Sequence, residues 1–72
     1  MDFRAYPVGE DGHLMAPVVL HEATDEAAIR RVKAMLNGRP IELWQGSRML
    51  GWFERIDGSV VFLQSREHAD NP

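Results

Sequence analysis

The chain has 72 residues, of which 44% are apolar, with a formal net charge of −3 and no cysteine. That excludes a disulfide-stapled scaffold and a thiolate metal site, and the acidic balance argues against general affinity for nucleic acid. A chain this short makes one globular domain that buries only about 60% of its unfolded surface, so association with another chain is a common remedy for marginal stability. Met1 runs straight into Asp2, with no basic or apolar leader segment. Every apolar run is too short to span a bilayer. A cytoplasmic protein without a membrane anchor is expected.

Phe3–Val8 and Leu14–Leu20 read as two strands joined at Gly9-Glu10-Asp11-Gly12, since Asp-Gly is a strong hairpin dipeptide. Alternation places Phe3, Ala5, Leu14, Ala16, Val18 and Leu20 on one face. Arg4, Tyr6, Val8, Met15, Pro17 and Val19 fall on the other. Pro7 and Pro17 each remove a ladder donor, which argues that at least one of these strands is an edge or bulged, and Leu14–Leu20 is placed at the edge. Thr24 or Asp25 can cap a helix over Asp25–Leu36, with Asp25 and Glu26 at its positive end. Ala28, Ile29, Val32, Met35 and Leu36 form its apolar stripe, leaving Arg30, Arg31 and Lys33 as a solvated face. Asn37-Gly38 ends the helix and Pro40 prevents its resumption.

Ile41–Arg55 reads as a hairpin around Gly46-Ser47, a dipeptide suited to a type II′ turn. An unbroken ladder sets Trp44 opposite Met49, Leu43 opposite Leu50 and Ile41 opposite Trp52. One face is then Ile41, Leu43, Leu50 and Trp52, with Gln45, Arg48 and Glu54 towards its ends. The other is Glu42, Trp44, Met49, Gly51, Phe53 and Arg55. Asp57-Gly58 predicts a type I′ turn into a fifth strand, Val60–Gln64, with Leu63 beside Trp52 and Phe62 beside Phe53. Residues 1–64 form the domain and 65–72 a flexible polar tail.

These elements predict an α+β fold, ββαββ with a further strand, whose antiparallel sheet runs in the order 2-1-3-4-5. The helix covers one face, over Phe3, Ala5, Val18, Leu20, Ile41, Leu43, Leu50 and Trp52. The opposite face presents Tyr6, Val19, Trp44, Met49 and Phe53, with Arg4 and Arg55 near them. One helix cannot cover both faces, and an apolar patch of that kind marks an interaction surface. A homodimer with sheets packed face to face is the simplest solution.

The run RAYPVGEDGH, the helix DEAAIRRVKAMLNGRP and the closing IELWQGSRML resemble a set of short uncharacterised proteins from alphaproteobacteria, notably rhizobia. These share the pattern RxYxxxxDGH, a helix, then G-x-x-(V/I)-E-(L/V)-W-Q-G-x-R. The resemblance spans Arg4 to Leu50 and rests on Asp11, Gly12, His13, Gly38, Glu42, Trp44, Gly46 and Arg48. It implies a small cytoplasmic bacterial protein and carries no activity, cofactor or catalytic residue.

His13, His21 and His68 lie in a turn, at a strand end and in the tail, and a closed zinc site needs four ligands. Ordinary surface histidines are the plainer reading, so no metal is expected. Ser47 and Ser59 are turn residues and Ser65 begins the tail. No G-x-S-x-G elbow occurs, and Asp25/Glu26 and Glu10/Asp11 are helix-start and loop residues. The sequence therefore predicts no enzyme and no cofactor, but a protein-interaction or regulatory domain. Its candidate surface is Tyr6, Val19, Trp44, Met49, Phe53, Arg4 and Arg55, and its partner a second copy or another protein. Those aromatics and cations, with Arg48, also suggest a stacking platform for single-stranded nucleic acid. The net charge favours the interface.

Overall fold

A computed structural model describes residues 2–64, so the expected tail at 65–72 lies outside the described residues. The elements are β1 (Asp2–Pro7), β2 (Val18–His21), α1 (Asp25–Met35), β3 (Ile41–Gln45), β4 (Arg48–Ile56) and β5 (Ser59–Gln64). All neighbouring strands are antiparallel, in the order β2-β1-β3-β4-β5. This is the expected α+β fold, with β2 at one edge and the fifth strand formed. β1 and β3, far apart in sequence, are brought side by side by the helical crossover.

The helix begins where its cap chemistry dictates. The Thr24 side-chain oxygen accepts the Ala27 N–H at 3.1 Å, satisfying one of the donors that a first helical turn leaves free. Asp25 and Glu26 occupy that turn, at the positive end of the helix dipole. Leu36 is already extended, with ψ 125°, so the helix stops at Met35, one residue earlier than expected. Gly38, at φ +108°, supplies the left-handed residue that turns the chain towards Pro40. Ala28 and Val32 are fully buried and Leu36 nearly so. They meet Phe3, Ala5, Leu20, Ile41, Leu43, Leu50 and Phe53 in one cluster, with Ile29 and Met35 packed at its margin.

Two ion pairs anchor the helix, one to β4 and one to the connection that follows β2. Arg48 forks onto both oxygens of Asp25 at 2.9 and 3.2 Å, joining the Gly46-Ser47 turn to the helix start. Arg31 reaches Glu22 at 2.8 Å. Arg48 and Asp25 are each more than 40% exposed, so solvent screening limits their pair to below about 1 kcal/mol. It orients the helix more than it stabilises the fold.

The turns follow their sequences. Gly46 alone has positive φ in the first hairpin turn, at +60°, as a type II′ turn requires. Asp57 at +52° and Gly58 at +82° both have it in the second, as type I′ requires.

The β3–β4 register departs from expectation. Gln45 faces Arg48 and Trp44 faces Met49 as expected, but Leu43 then faces Gly51, Glu42 faces Trp52 and Ile41 faces Phe53. Leu50 is an extra residue, a β-bulge, and it is buried in the core. Because side chains alternate with a period of two, one inserted residue exchanges the faces of everything after it. Trp52 is therefore not beneath the helix: it is half-buried on the opposite face. Phe53, expected on the helix-free face, is fully buried under the helix. Gly51 and Arg55 change sides with it, and so does Glu54 in the other direction.

A close approach accompanies this register. Phe53 and Phe62 stack with centroids 4.5 Å apart and planes within 6°. The Phe62 ring also lies against Gly51. A Cβ at Gly51 would sit 2.3 Å from Phe62 Cε1 and 2.8 Å from the Leu63 carbonyl oxygen. The glycine is there for space, and the unbulged register would have left Gly51 on the wrong face to provide it.

The N-terminal hairpin is also less regular than its alternation suggested. Phe3 faces Leu20 and Ala5 faces Val18, but Val8 bridges Leu14 and Met15 N–H donates to the Pro7 carbonyl at 2.8 Å. The first register pairs residues summing to 23 and the second to 22, so one residue is absorbed between Met15 and Pro17. Pro17 cannot donate to the ladder, and regular pairing resumes only at Val18. Val8 and Leu14, assigned to opposite faces from alternation, thus oppose each other. Val18 faces the helix side by register yet remains 43% exposed.

Gly51→Ala should cost about 1–3 kcal/mol by overpacking, measured by urea unfolding. In a Phe62→Ala background the added cost should shrink without vanishing, because the Leu63 carbonyl still crowds the new methyl.

Candidate interaction face

The helix-free face is defined by the ladder. One row across the sheet runs Val19, Arg4, Trp44, Met49, and the next Tyr6, Glu42, Trp52, Leu63. Beyond them lie Glu54 and Val61, a facing pair on β4 and β5. Of the seven residues expected here, Arg4, Tyr6, Val19, Trp44 and Met49 are brought together. Phe53 is in the core instead, and Arg55 is exposed on the helix side, donating to the Gly58 carbonyl at 3.3 Å. The sequence reading missed Trp52, Glu54, Val61 and Leu63. The bulge places the first two, and pairing with β5 adds the others.

The two tryptophans therefore share one face. Each donates its indole N–H to a carboxylate two residues away on its own strand. Trp44 Nε1 reaches Glu42 Oε1 at 3.0 Å, and Trp52 Nε1 reaches Glu54 Oε1 at 3.2 Å. Residues two apart on a strand point the same way, so each indole is tied to a carboxylate on its own face of the sheet, which restrains the ring. Tyr6, Trp44, Met49, Trp52 and Val61 are half-buried, while Val19 is 42% and Leu63 59% exposed. Large aromatic and apolar side chains gathered on one face, without a covering layer among the described residues, are the composition of a contact surface.

Electrostatics on this face are mixed, not basic. Among the described residues Arg4 is its cation, on the same face as Glu42 and Glu54 but opposite Val19 and Trp44 in the ladder. Arg48 points to the helix side, where Asp25 and Gln45 hold it. The cations that suggested a nucleic-acid platform are thus dispersed over both faces of the sheet, and two carboxylates stand beside the stacking rings.

Elsewhere, the loop at Gly9–Gly12 and the helix exit at Asn37–Pro40 border two adjoining open hollows of about 520 and 300 Å³. Their notable polar pair is Asp11 and His13. The His13 backbone N–H donates to Asp11 Oδ1 at 3.1 Å and its Nδ1 lies 2.8 Å from Oδ2. An ionised carboxylate only accepts, so the proton is on Nδ1. This side-chain hydrogen bond first, and the backbone one second, hold the Asp11 carboxyl below its ordinary pKa. His21 makes a similar contact to Asp2 at 2.7 Å. Both pairs are well exposed. Among the described residues no three His, Asp or Glu side chains are grouped as metal ligands would be. No helix among them is long and apolar enough to cross a membrane.

Followed by NMR titration, Asp11 should deprotonate below the usual carboxylate range, and His13→Ala should bring it part of the way back, the backbone donor remaining. A depressed pKa favours the folded loop above the unfolded value and loses that effect as pH falls through the folded one. The Asp11 turn should therefore loosen on acidification.

Against this geometry stand the comparisons with known proteins: no family model, no curated protein and no solved structure matches the chain.

Proposed function

We propose that this chain is a non-enzymatic interaction domain of the small cytoplasmic proteins that its sequence resembles, and that it homodimerises through its helix-free sheet face. The observation that carries the reading is the pairing of Trp44 and Trp52 on one half-exposed face, each ring fixed by its own carboxylate. Burying a large aromatic ring is favourable by about 1.5–3 kcal/mol. Rings already held in place lose little conformational freedom on association. A second copy supplies an apolar face of matching character, and a two-fold axis in the plane of contact makes it self-complementary. Its two sheets would pack about 10 Å apart, as in a sandwich.

The alternative, single-stranded nucleic acid stacking on the same rings, has less support. Glu42 and Glu54 would repel phosphates, and Arg4, the one arginine or lysine of the described residues on that face, cannot provide the positive field that backbone binding needs. No retention on immobilised single-stranded DNA or RNA at low salt is expected.

Sedimentation equilibrium at high micromolar concentration tests the proposal. Trp44→Glu and Trp52→Glu should each weaken face-to-face association while the far-ultraviolet circular dichroism stays native. Phe53→Glu, in contrast, should unfold the domain, since it buries a charge in the core. Association undiminished by either tryptophan variant would place the interface elsewhere.

A further inference from the structure

Among the described residues a second surface is left open by the sheet order, and it is an edge, not a face. β5 ends the sheet, and its sequence, Ser59-Val60-Val61-Phe62-Leu63-Gln64, contains no charge and no proline. Natural sheets blunt their edges with short strands, charges, prolines or bulges. The opposite edge shows such devices: β2 has four residues, follows Pro17 and ends in His21. β5 has six residues and none of these protections.

Both faces of β5 are apolar as well. Val60 and Phe62 lie on the helix side at the margin of the core, and α1 packs mainly over β2, β3 and β4. Val61 and Leu63 lie on the other side, Leu63 being 59% exposed. An uncharged, β-branched and aromatic strand with an open edge is a template for strand pairing.

The hydrogen-bonding direction of each residue follows from the turn. Ile56 and Ser59 flank the two-residue loop Asp57-Gly58, so they form a hydrogen-bonded pair, and such pairs alternate along an antiparallel ladder. Ser59, Val61 and Leu63 therefore turn their backbone groups towards β4. Val60, Phe62 and Gln64 turn theirs outward.

We propose that β5 pairs antiparallel with β5 of a second copy, about a two-fold axis normal to the sheet at Phe62, making one continuous ten-stranded sheet. Phe62 then faces its own counterpart, Val60 faces Gln64 of the other copy, and Val61 faces Leu63 of the other copy. This register keeps the helices of both copies on one side and engages all three outward residues of each strand. A register centred on Val61 engages fewer of them. It also sets the exposed Leu63 against an apolar neighbour and joins the Phe53–Phe62 stacks of the two copies. Residues 65–72 are a poorer occupant for this edge, because Glu, His, Ala, Asp, Asn and Pro favour strands weakly.

The edge pairing stands apart from the face-to-face contact and can be tested separately. Gln64→Pro removes an outward N–H and leaves the ladder to β4 intact, a placement that edge strands tolerate. It should lower the assembly mass of the 72-residue chain by half in sedimentation equilibrium, with native circular dichroism. Trp44→Glu should leave the edge pair in place. If both contacts form and their perpendicular axes intersect, a four-copy assembly closes, and each variant should reduce it to a pair. If only the edge contact forms, the unaltered chain is a pair that Trp44→Glu leaves unchanged. Because the chain has no cysteine, a mixture of Val61→Cys and Leu63→Cys chains offers a direct readout. The two residues would face each other at disulfide distance, so mild oxidation should give the mixed cross-link well above either self-cross-link. An assembly mass untouched by Gln64→Pro, together with no excess of the mixed disulfide, would overturn the proposal.

Discussion

The organisation of this molecule depends on one extra residue in β4. Without the bulge at Leu50, Trp52 would compete with the helix for core space and Phe53 would lie on the open face. With it, three apolar groups find separate places: Leu50 and Phe53 enter the core, and Trp52 joins Trp44. Gly51, set opposite Leu43, then leaves the space that the Phe62 ring occupies. A bulge costs a ladder hydrogen bond and bends its strand. Here that cost is offset by a core filled with Phe53 rather than an indole whose N–H would need a buried partner.

The face assignments also decide the electrostatics. The carboxylates of Glu42 and Glu54 are held by indole N–H groups on the open face, and the guanidinium of Arg48 is held by Asp25 at the helix. Opposite charges that looked interleaved in sequence are sorted to different surfaces. The open face is thereby amphipathic and slightly acidic, a character that suits contact with another protein surface better than contact with a polyanion.

Much of the fold was legible because short-range chemistry dictates it. Thr24 followed by two acids marks a helix start, Asn37-Gly38 and Pro40 mark its end, and Gly46-Ser47 and Asp57-Gly58 specify turns through their positive φ. The strand order followed from the helix, which makes β2 and β3 run in the same direction, so that an all-antiparallel sheet needs β3 beside β1. The faces beyond Met49 were not legible from alternation alone, because period-two counting assumes an unbroken ladder. The signal was present in Gly51, since a glycine inside a strand marks a bulge or a close approach, and here it marks both. Leu50 and Phe53, three apart, could not both be core residues on a regular strand. In the N-terminal hairpin, Pro17 signalled interruption correctly, but the residue absorbed beside it left no sequence mark of its own. Of the candidate surface, five residues were found through alternation before the bulge, and the four that were missed lie beyond it.

The place of β1 between β2 and β3 has a consequence for how the chain acquires its structure. β3, β4 and β5 form a meander joined by two-residue turns, so their pairing closes very short loops. β1, in contrast, pairs Arg4 with Trp44 across forty residues, and closing that loop carries a larger entropic cost. During synthesis the first hairpin leaves the ribosome well before its partner at Ile41–Gln45. Until then the edge of β1 that meets β3 is unpaired, and the Phe3 and Ala5 side chains lack much of their core. Pairing within the meander thus carries the smaller loop-closure cost, and docking of the first hairpin upon it the larger one.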